Sequence, residues 1–182
     1  MAEVMYQNDS ISVVRPRVDW RAIWGGVFTF IGIWSVFGSL GWAIFASAAN
    51  PNAARPITGM GIGMSIWAIV LTIIAMYVAG LETGHLAQVV NRHEGLLHGM
   101  IMFGLSVVAA LVIAVLGGNS LTAGSATASA THNPYVLDIL AGLGWAGFLS
   151  LFFGWLAAMG GASSGVQRRL QSRAAEPIRR VA

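Results

Sequence analysis

Four long stretches of this sequence contain no charged residue, and this feature constrains the fold more than any other. Asp, Glu, Lys and Arg are absent from four intervals, which lie between Arg21 and Arg55, Arg55 and Glu82, Glu94 and Asp138, and Asp138 and Arg168. Each interval is longer than the ~20 apolar residues that a helix needs to cross the hydrocarbon core of a bilayer. Because a backbone in lipid must satisfy its own hydrogen bonds, each interval predicts a transmembrane helix.

The sequence therefore predicts an all-α membrane protein with a single transmembrane domain. The four spans are placed at about residues 22–48, 57–81, 96–116 and 135–159. They lie in a domain of residues 19–165, between an N-terminal segment of residues 1–18 and a basic tail of residues 166–182. The composition agrees with this fold class, because only 9% of the residues are charged, against roughly 25% in a soluble domain.

Three residues mark the starts of predicted helices. Asp19 suits the N-cap of the first span, and Pro134 suits the first position of the fourth, where its missing N–H is not needed. Asp138 lies in the first turn of the fourth span, where a carboxylate complements the positive end of the helix dipole. These roles explain the three residues without any catalytic or proton-carrying chemistry.

The arginines predict the orientation of the chain. All ten basic residues are arginines, and only Arg55 lies on the outer side of the predicted membrane. The other nine are Arg15, Arg17, Arg21, Arg92, Arg168, Arg169, Arg173, Arg179 and Arg180. Because positively charged segments stay in the cytoplasm, both ends of the chain are predicted to face it. Candidate anchors to anionic lipid are Arg15, Arg17, Arg21, Arg168, Arg169 and Arg173.

Composition also limits the partners and the chemistry. The exclusive use of arginine, with abundant Ala and Gly, indicates a GC-rich bacterial genome and hence the bacterial inner membrane. The basic residues flank membrane spans and form no patch on a folded domain, so nucleic acid is not an expected partner. The chain contains no cysteine, which excludes disulfides, thiolate metal sites and thiol catalysis.

A glycine pattern recurs in the second and fourth spans. Gly61, Gly63, Gly80 and Gly84 are repeated at an offset of 81 residues as Gly142, Gly144, Gly161 and Gly165. The first and third spans match less well, at an offset of 74 residues. The pattern predicts a duplicated helical hairpin, with the two halves related by an axis along the membrane normal. Small residues four apart also favour close helix packing, and such pairs are Gly80 and Gly84, Gly95 and Gly99, and Gly161 and Gly165.

Four residues near the inner ends of the second and third spans could bind a metal ion. Glu82 and His85 are three residues apart, and Glu94 and His98 are four apart, so each pair shares a helix face. Glu-x-x-His is also a ligand spacing of di-iron bundles, but those sites take ligands from four helices, and the first and fourth spans offer none. We therefore prefer interfacial hydrogen bonds and local ion pairs to a metal site.

His98 lies deepest in the predicted membrane, about one turn inside the third span. An ionisable residue at that depth is a functional hypothesis, and an axial ligand to haem or a chlorophyll is one form of it. No second haem ligand occurs in the spans, and the covalent haem-attachment motif is missing. A hydrogen-bonded interfacial histidine is the preferred interpretation, and no cofactor is expected.

The sequence contains no arrangement of residues that is typical of an enzyme. It has no Ser/His/Asp set, phosphate-binding loop or nucleotide fingerprint. The preferred hypothesis is a non-enzymatic membrane subunit that forms a homo-oligomer or packs in a larger inner-membrane complex. Its partners would be lipids, other subunits or a second copy. Two alternatives remain open: a small channel or transporter with a pore between protomers, and a cofactor-bearing subunit that uses His98.

Four short motifs carry a resemblance to a group of small bacterial membrane proteins. They are Trp24-Gly25-Gly26 at the start of the first span, Gly61-x-Gly63-x-x-Ile66-Trp67 in the second, His98-Gly99 in the third, and Met159-Gly160-Gly161-Ala162 after the fourth. The chain resembles uncharacterised four-helix integral membrane proteins of bacteria over about Asp19 to Gly165. The resemblance implies a four-span fold and no activity. The outer loop between the third and fourth spans is shorter here than in members with an insertion there.

Overall fold

The structure is a computed structural model that describes residues 18–48, 56–89, 91–116 and 134–179. These residues form four helices, which are α1 (Trp20–Ala48), α2 (Pro56–Leu86), α3 (Arg92–Leu116) and α4 (Pro134–Arg179). Each helix is long and apolar enough to cross a membrane. The prediction of an all-helical, multi-pass membrane protein is confirmed at this level.

An N-cap residue and two prolines explain where three of the helices start. Oδ1 of Asp19 accepts hydrogen bonds from the backbone N–H groups of Arg21 (3.1 Å) and Ala22 (3.4 Å). The Asp19 carbonyl accepts the N–H of Ile23 at 3.2 Å, which is the first α-helical hydrogen bond of α1. Asp19 is therefore the N-cap of α1, as predicted. Pro56 and Pro134 are the first residues of α2 and α4, the position at which proline is best tolerated.

Two helices continue beyond the predicted ends of their spans. α2 runs through Glu82 and His85 to Leu86, and α4 runs on from Met159 to Arg179. With 46 residues, α4 is about 70 Å long, which exceeds the ~40–45 Å thickness of a bilayer with its headgroups. Hydropathy marks where the lipid ends and does not mark where a helix ends, because charged and polar residues continue a helix readily in water.

Successive helices run in opposite directions. We call the end of the bundle where α1 and α3 begin and α2 ends the proximal end, and the opposite end the distal end. In the α2–α4 pair, Thr72 lies beside Gly154 and Ala87 lies beside Arg169, so these two helices run parallel. α1 lies antiparallel to α2, and α3 lies antiparallel to α4. The direction therefore alternates along the chain, as four consecutive membrane crossings require.

The core lies in the proximal half of the bundle and consists of medium-sized and small apolar side chains. Its members are Ile23, Val27 and Phe30 of α1, Ala75, Met76 and Ala79 of α2, Met102 of α3 and Ala158 of α4. A second cluster closes the proximal end and contains Ala22, Ala87, Val89 and Val166. The helices can approach closely here because alanine and glycine occupy most contacts of α2 and α4.

The distal half is held mainly by the α1–α2 hairpin. Nε1 of Trp34 donates a hydrogen bond to Oγ1 of Thr72 (3.2 Å), and Nε1 of Trp67 donates to the carbonyl of Phe37 (3.2 Å). These bonds satisfy indole N–H groups that would otherwise face lipid. The distal part of α4 differs, because every described side chain in residues 141–153 is exposed or half-exposed.

Candidate functional site

The closest helix contact joins α2 to α4 through four glycines. A Cβ at Gly80 would overlap the carbonyl oxygen of Ala158, and a Cβ at Gly84 would overlap that of Ala162. Only glycine lets the backbone of α4 lie against α2 at these two points. The contact therefore runs from backbone to backbone, which maximises van der Waals attraction where lipid provides no hydrophobic driving force.

The glycines of α4 make the equivalent contacts with the backbone of α2. A Cβ at Gly161 would overlap the carbonyl oxygen of Tyr77, and a Cβ at Gly165 would overlap that of Leu81. Gly161 and Gly165 are the repeats of Gly80 and Gly84 at the 81-residue offset, and the two pairs of carbonyls obey that offset as well. Each helix thus presents the same surface to the other, as the two sides of an isologous interface do.

The symmetry between α2 and α4 does not extend to α1 and α3. A two-fold axis that exchanges α2 with α4 would also exchange α1 with α3. The observed α2–α3 contact would then require an equivalent contact between α4 and α1. In the described residues α1 contacts α2 and α3 but not α4. The duplication of the whole hairpin therefore stays a prediction, while the self-complementary α2–α4 contact is a feature of the structure.

The remaining glycine pair of the sequence analysis also contacts α4. A Cβ at Gly95 would lie 2.8 Å from Cγ2 of Val166, and one at Gly99 would lie 2.8 Å from the carbonyl oxygen of Ala158. All six glycines named as packing residues therefore lie at contacts within one chain. α3 and α2 both approach α4 through glycine, so α4 is the helix around which the proximal half is organised.

Sequence reasoning missed two packing glycines of α1. A Cβ at Gly26 would overlap the hydroxyl of Thr83, and a Cβ at Gly41 would overlap the Trp67 ring. A signal for Gly26 exists in the sequence, because it lies on the same helix face as Ile23 and Phe30. Gly41 also has apolar neighbours on its face, Phe37 and Phe45, but the contact that requires glycine there is made by the Trp67 indole of α2.

His98 is buried at the proximal end, where α3 meets the start of α1. Its side chain is 4% exposed. Nε2 accepts a hydrogen bond from the backbone N–H of Asp19 at 3.0 Å, and Nδ1 lies 2.7 Å from the carbonyl oxygen of Glu94. Because an N–H can only donate and a carbonyl can only accept, these partners define a neutral ring with its proton on Nδ1.

Both ring nitrogens of His98 are therefore engaged by protein atoms. Axial ligation of haem or a chlorophyll through Nε2 would require His98 to give up the Asp19 N–H, which would separate α1 from α3 at this point. The geometry fits the preferred interpretation, a hydrogen-bonded interfacial histidine. Cofactor binding by His98 stays a prediction that the arrangement of its partners disfavours.

The other three candidate metal ligands do not join His98 in a site. Among the described residues, no three His, Cys, Asp or Glu side chains lie close enough to hold a metal ion. Glu82 and Glu94 are half-exposed, and His85 is exposed at the end of α2. These positions suit solvated side chains at a membrane interface. The metal hypothesis gains no support from this geometry.

The predicted lipid anchors occupy two different environments where the structure describes them. Arg21 and Arg168 are exposed. Arg169 instead turns toward α2, where Nη1 donates a hydrogen bond to the carbonyl oxygen of Ala87. A cation at the C-terminal end of a helix stabilises the carbonyls left without helical partners. Arg15, Arg17 and the Arg173 side chain lie outside the described residues, as does the Asp138 side chain.

Polar side chains buried between the described helices are satisfied by local partners. The hydroxyl of Thr83 donates to the Ala79 carbonyl (2.9 Å), and that of Ser163 donates to the Gly160 carbonyl (2.9 Å). Ser106 donates to Sδ of Met102 at 3.5 Å. In the described part of the chain no buried side-chain nitrogen or oxygen lacks a hydrogen-bond partner. These groups therefore stabilise the bundle and do not line a polar path.

Comparisons of the chain with protein-family models, with curated proteins and with solved structures find no match. The resemblance to small four-helix bacterial membrane proteins therefore rests on its short motifs alone.

Proposed function

We propose that this chain is a non-enzymatic integral membrane subunit that associates with copies of itself or with other subunits of a membrane complex. The proposal is supported by the role of the main contacts in the bundle. Among the described residues, the closest helix contacts, the buried His98 and the contact of Arg169 with the Ala87 carbonyl at the end of α2 all hold helices together. None of them leaves a reactive group directed into a cavity.

One observation carries the association part of the proposal. Gly144 and Gly147 lie in the distal half of α4, and a Cβ at either would meet no atom within 4 Å. Glycine in a helix is less stable than alanine by about 0.5–1 kcal/mol. At the α2–α4 contact close packing offsets that loss, whereas nothing among the described residues offsets it at Gly144 and Gly147. A neighbouring subunit would supply the missing contact.

The proposal includes a location and an orientation. Nine of the ten arginines lie at the proximal end or in segments that adjoin it. By the positive-inside rule this end faces the cytoplasm, in the inner membrane of a bacterium. Anionic lipid is then the expected neighbour of the exposed Arg21 and Arg168. The duplicated-hairpin hypothesis would also explain the self-complementary surfaces of α2 and α4, as a fused dimer of one ancestral hairpin.

Cross-linking of single cysteines tests the association directly. Because the chain has no cysteine, a disulfide formed by Gly144→Cys can only join two chains or the chain and another protein. The matched control is Gly104→Cys on α3: a Cβ there also meets no atom within 4 Å, but Gly104 lies between the buried Met102 and Ser106, whereas no described side chain of residues 141–153 is buried. Both variants would be oxidised in native membranes and then separated by mass.

We expect a covalent product from Gly144→Cys that clearly exceeds the product from Gly104→Cys. A product of twice the chain mass supports a homo-oligomer, and a product with another protein supports an accessory subunit. Equal yields from both variants, together with a monomeric native mass of the purified protein, would refute the proposal.

A further inference from the structure

Beside the apolar contacts of Ile23 and Val27 with Met102, the start of α1 is hydrogen-bonded to α3 through the side chain of His98. The N–H of Asp19 has no helical acceptor, because the residues before it precede the helix. Nε2 of His98 provides the acceptor at 3.0 Å. The same residue, Asp19, caps α1 through its carboxylate. We refer to the contact between His98 and Asp19 as the proximal latch.

The latch requires a neutral imidazole. Imidazole changes its charge between about pH 5 and pH 8, the range in which no other unperturbed side chain does so. Protonation places an N–H on Nε2, and that group then faces the N–H of Asp19. Two donors cannot bond each other, and Nδ1 offers no acceptor because it donates to the Glu94 carbonyl. A protonated His98 therefore cannot keep its observed partner.

The charged groups around the latch determine which contacts a protonated His98 can make. On α1 these are the carboxylate of Asp19 and the guanidinium of Arg21, and on α3 they include the Glu94 side chain one turn before His98. Among these residues Asp19 contacts the ring directly through its N–H, and its Oδ1 already accepts the N–H groups of Arg21 and Ala22. An imidazolium attracts this carboxylate and competes with both N–H groups. The N-cap of α1 is weakened by this route as well.

The two remaining helices, α2 and α4, carry charged groups at the same end of the bundle. None of those described is hydrogen-bonded to the His98 ring. α2 contributes Glu82 and His85, which are half-exposed and exposed, respectively. α4 packs against α3 through Ala162 and Val166, which are apolar, and the guanidinium of Arg169 is bonded to the Ala87 carbonyl. The His98 ring itself is 4% exposed.

We propose that the proximal latch is a pH-sensitive device that fixes the start of α1 to α3 when His98 is neutral and releases it when His98 is protonated. The contact is therefore present while the ring is neutral and is lost when the ring takes up a proton, which is the direction in which a fall in pH acts. Release would loosen the first turn of α1, which the proposed orientation places at the cytoplasmic end of the bundle. The device does not depend on whether the chain associates with other subunits.

Amide hydrogen exchange of the full-length protein in lipid nanodiscs measures the latch. Peptides that cover residues 19–23 would be compared at about pH 8 and about pH 5.5, after correction for the intrinsic exchange rate at each pH. We expect protection of these amides to fall about tenfold at the lower pH, the effect of one hydrogen bond. Protection around Trp34 and Thr72, whose contact involves no titratable group, serves as the internal control and should not change.

The variant His98→Gln separates titration from contact. A glutamine carbonyl can accept the Asp19 N–H and does not titrate, so this variant should keep protection at both pH values. Wild-type protection of residues 19–23 that does not change with pH would refute the proposal. The same pH-dependent loss in His98→Gln would also refute it, because another group would then be responsible.

A second measurement does not depend on any variant. Nitrogen-15 NMR of histidine-labelled wild-type protein distinguishes the two neutral tautomers from the charged ring. At about pH 8 the proposal requires a ring protonated on Nδ1 alone, and this signal should convert to the charged form together with the loss of protection. A ring protonated on Nε2 alone at that pH would contradict the latch.

Discussion

Two adjacent glycines of α4 allow a test of the helix contact in which the same substitution has opposite effects. A Cβ at Gly161 would overlap the carbonyl oxygen of Tyr77 and would lie 2.9 Å from the backbone nitrogen of Leu81. A Cβ at Gly160 would meet no atom within 4 Å. The two residues share a helix and a depth in the membrane, so Gly160→Ala is a matched control for Gly161→Ala.

The expected changes in the free energy of unfolding follow from two terms. Replacing a helical glycine by alanine stabilises a helix by about 0.5–1 kcal/mol. For Gly160→Ala this is the whole effect. At Gly161 the new methyl group must push α2 and α4 apart, and overpacking of this kind costs about 1–3 kcal/mol. Gly161→Ala should therefore be less stable than Gly160→Ala by about 1–3 kcal/mol, so that its own net loss is up to about 2.5 kcal/mol while Gly160→Ala stabilises the protein.

Reversible unfolding in mixed micelles, followed by tryptophan fluorescence, measures both values. Gly80→Ala should behave as Gly161→Ala does, because its Cβ meets the equivalent carbonyl on the other helix. The double variant should lose less than the sum of the two single losses, since one displacement of α2 from α4 relieves both overlaps. If Gly161→Ala were as stable as Gly160→Ala, α2 and α4 would not be in the contact described.

Three further predictions concern other parts of the chain. Reporter fusions should give a cytoplasmic signal after Asn91 and Ala182 and a periplasmic signal after Ala54 and Ala128, and a periplasmic signal after Asn91 would contradict the proposed orientation. Elemental analysis of purified protein should find no stoichiometric transition metal at any pH, with the same result for His85→Ala; one equivalent of metal that is lost in this variant would revive the metal hypothesis. Arg169→Gln should lower the free energy of unfolding by about 1 kcal/mol, because the Ala87 carbonyl loses a charged donor. Arg168→Gln should change it by less than about 0.5 kcal/mol, and equal effects would show that the contact is not energetically significant.

The helical fold was predictable because its signal is local. Charge-free intervals identify the spans, and Asp19 identifies the start of α1. The glycine spacing also pointed to residues that lie at helix contacts. It could not show which helices meet, because Gly80 and Gly84 would serve equally well against a lipid, another subunit or α4. Which helices meet depends on tertiary packing. The contacts that α4 makes with its neighbours lie between Gly154 and Arg169.

The arrangement at the proximal end was less predictable. Spacing along α2 and α3 suggested that Glu82, His85, Glu94 and His98 share a site. His98 instead meets the backbone of Asp19, 79 residues away in sequence. A backbone N–H has no residue-specific signature, so no pattern of side chains could have indicated it. Arg169 was likewise predicted as a lipid anchor, and its bond to the Ala87 carbonyl depends on α4 remaining helical beyond the membrane.

The most direct test of this account is a disulfide between α2 and α4. A Cβ at Gly154 would lie 3.2 Å from Cγ2 of Thr72, which is compatible with the geometry of a disulfide between cysteines at these positions. The pair Thr72→Cys and Gly154→Cys should therefore form an intramolecular bond on oxidation in membranes. Thr72→Cys paired with Gly144→Cys, displaced by about 15 Å along α4, should not. Failure of the first pair, or an equal yield of the intramolecular bond from the second, would contradict the parallel contact around which the bundle is built.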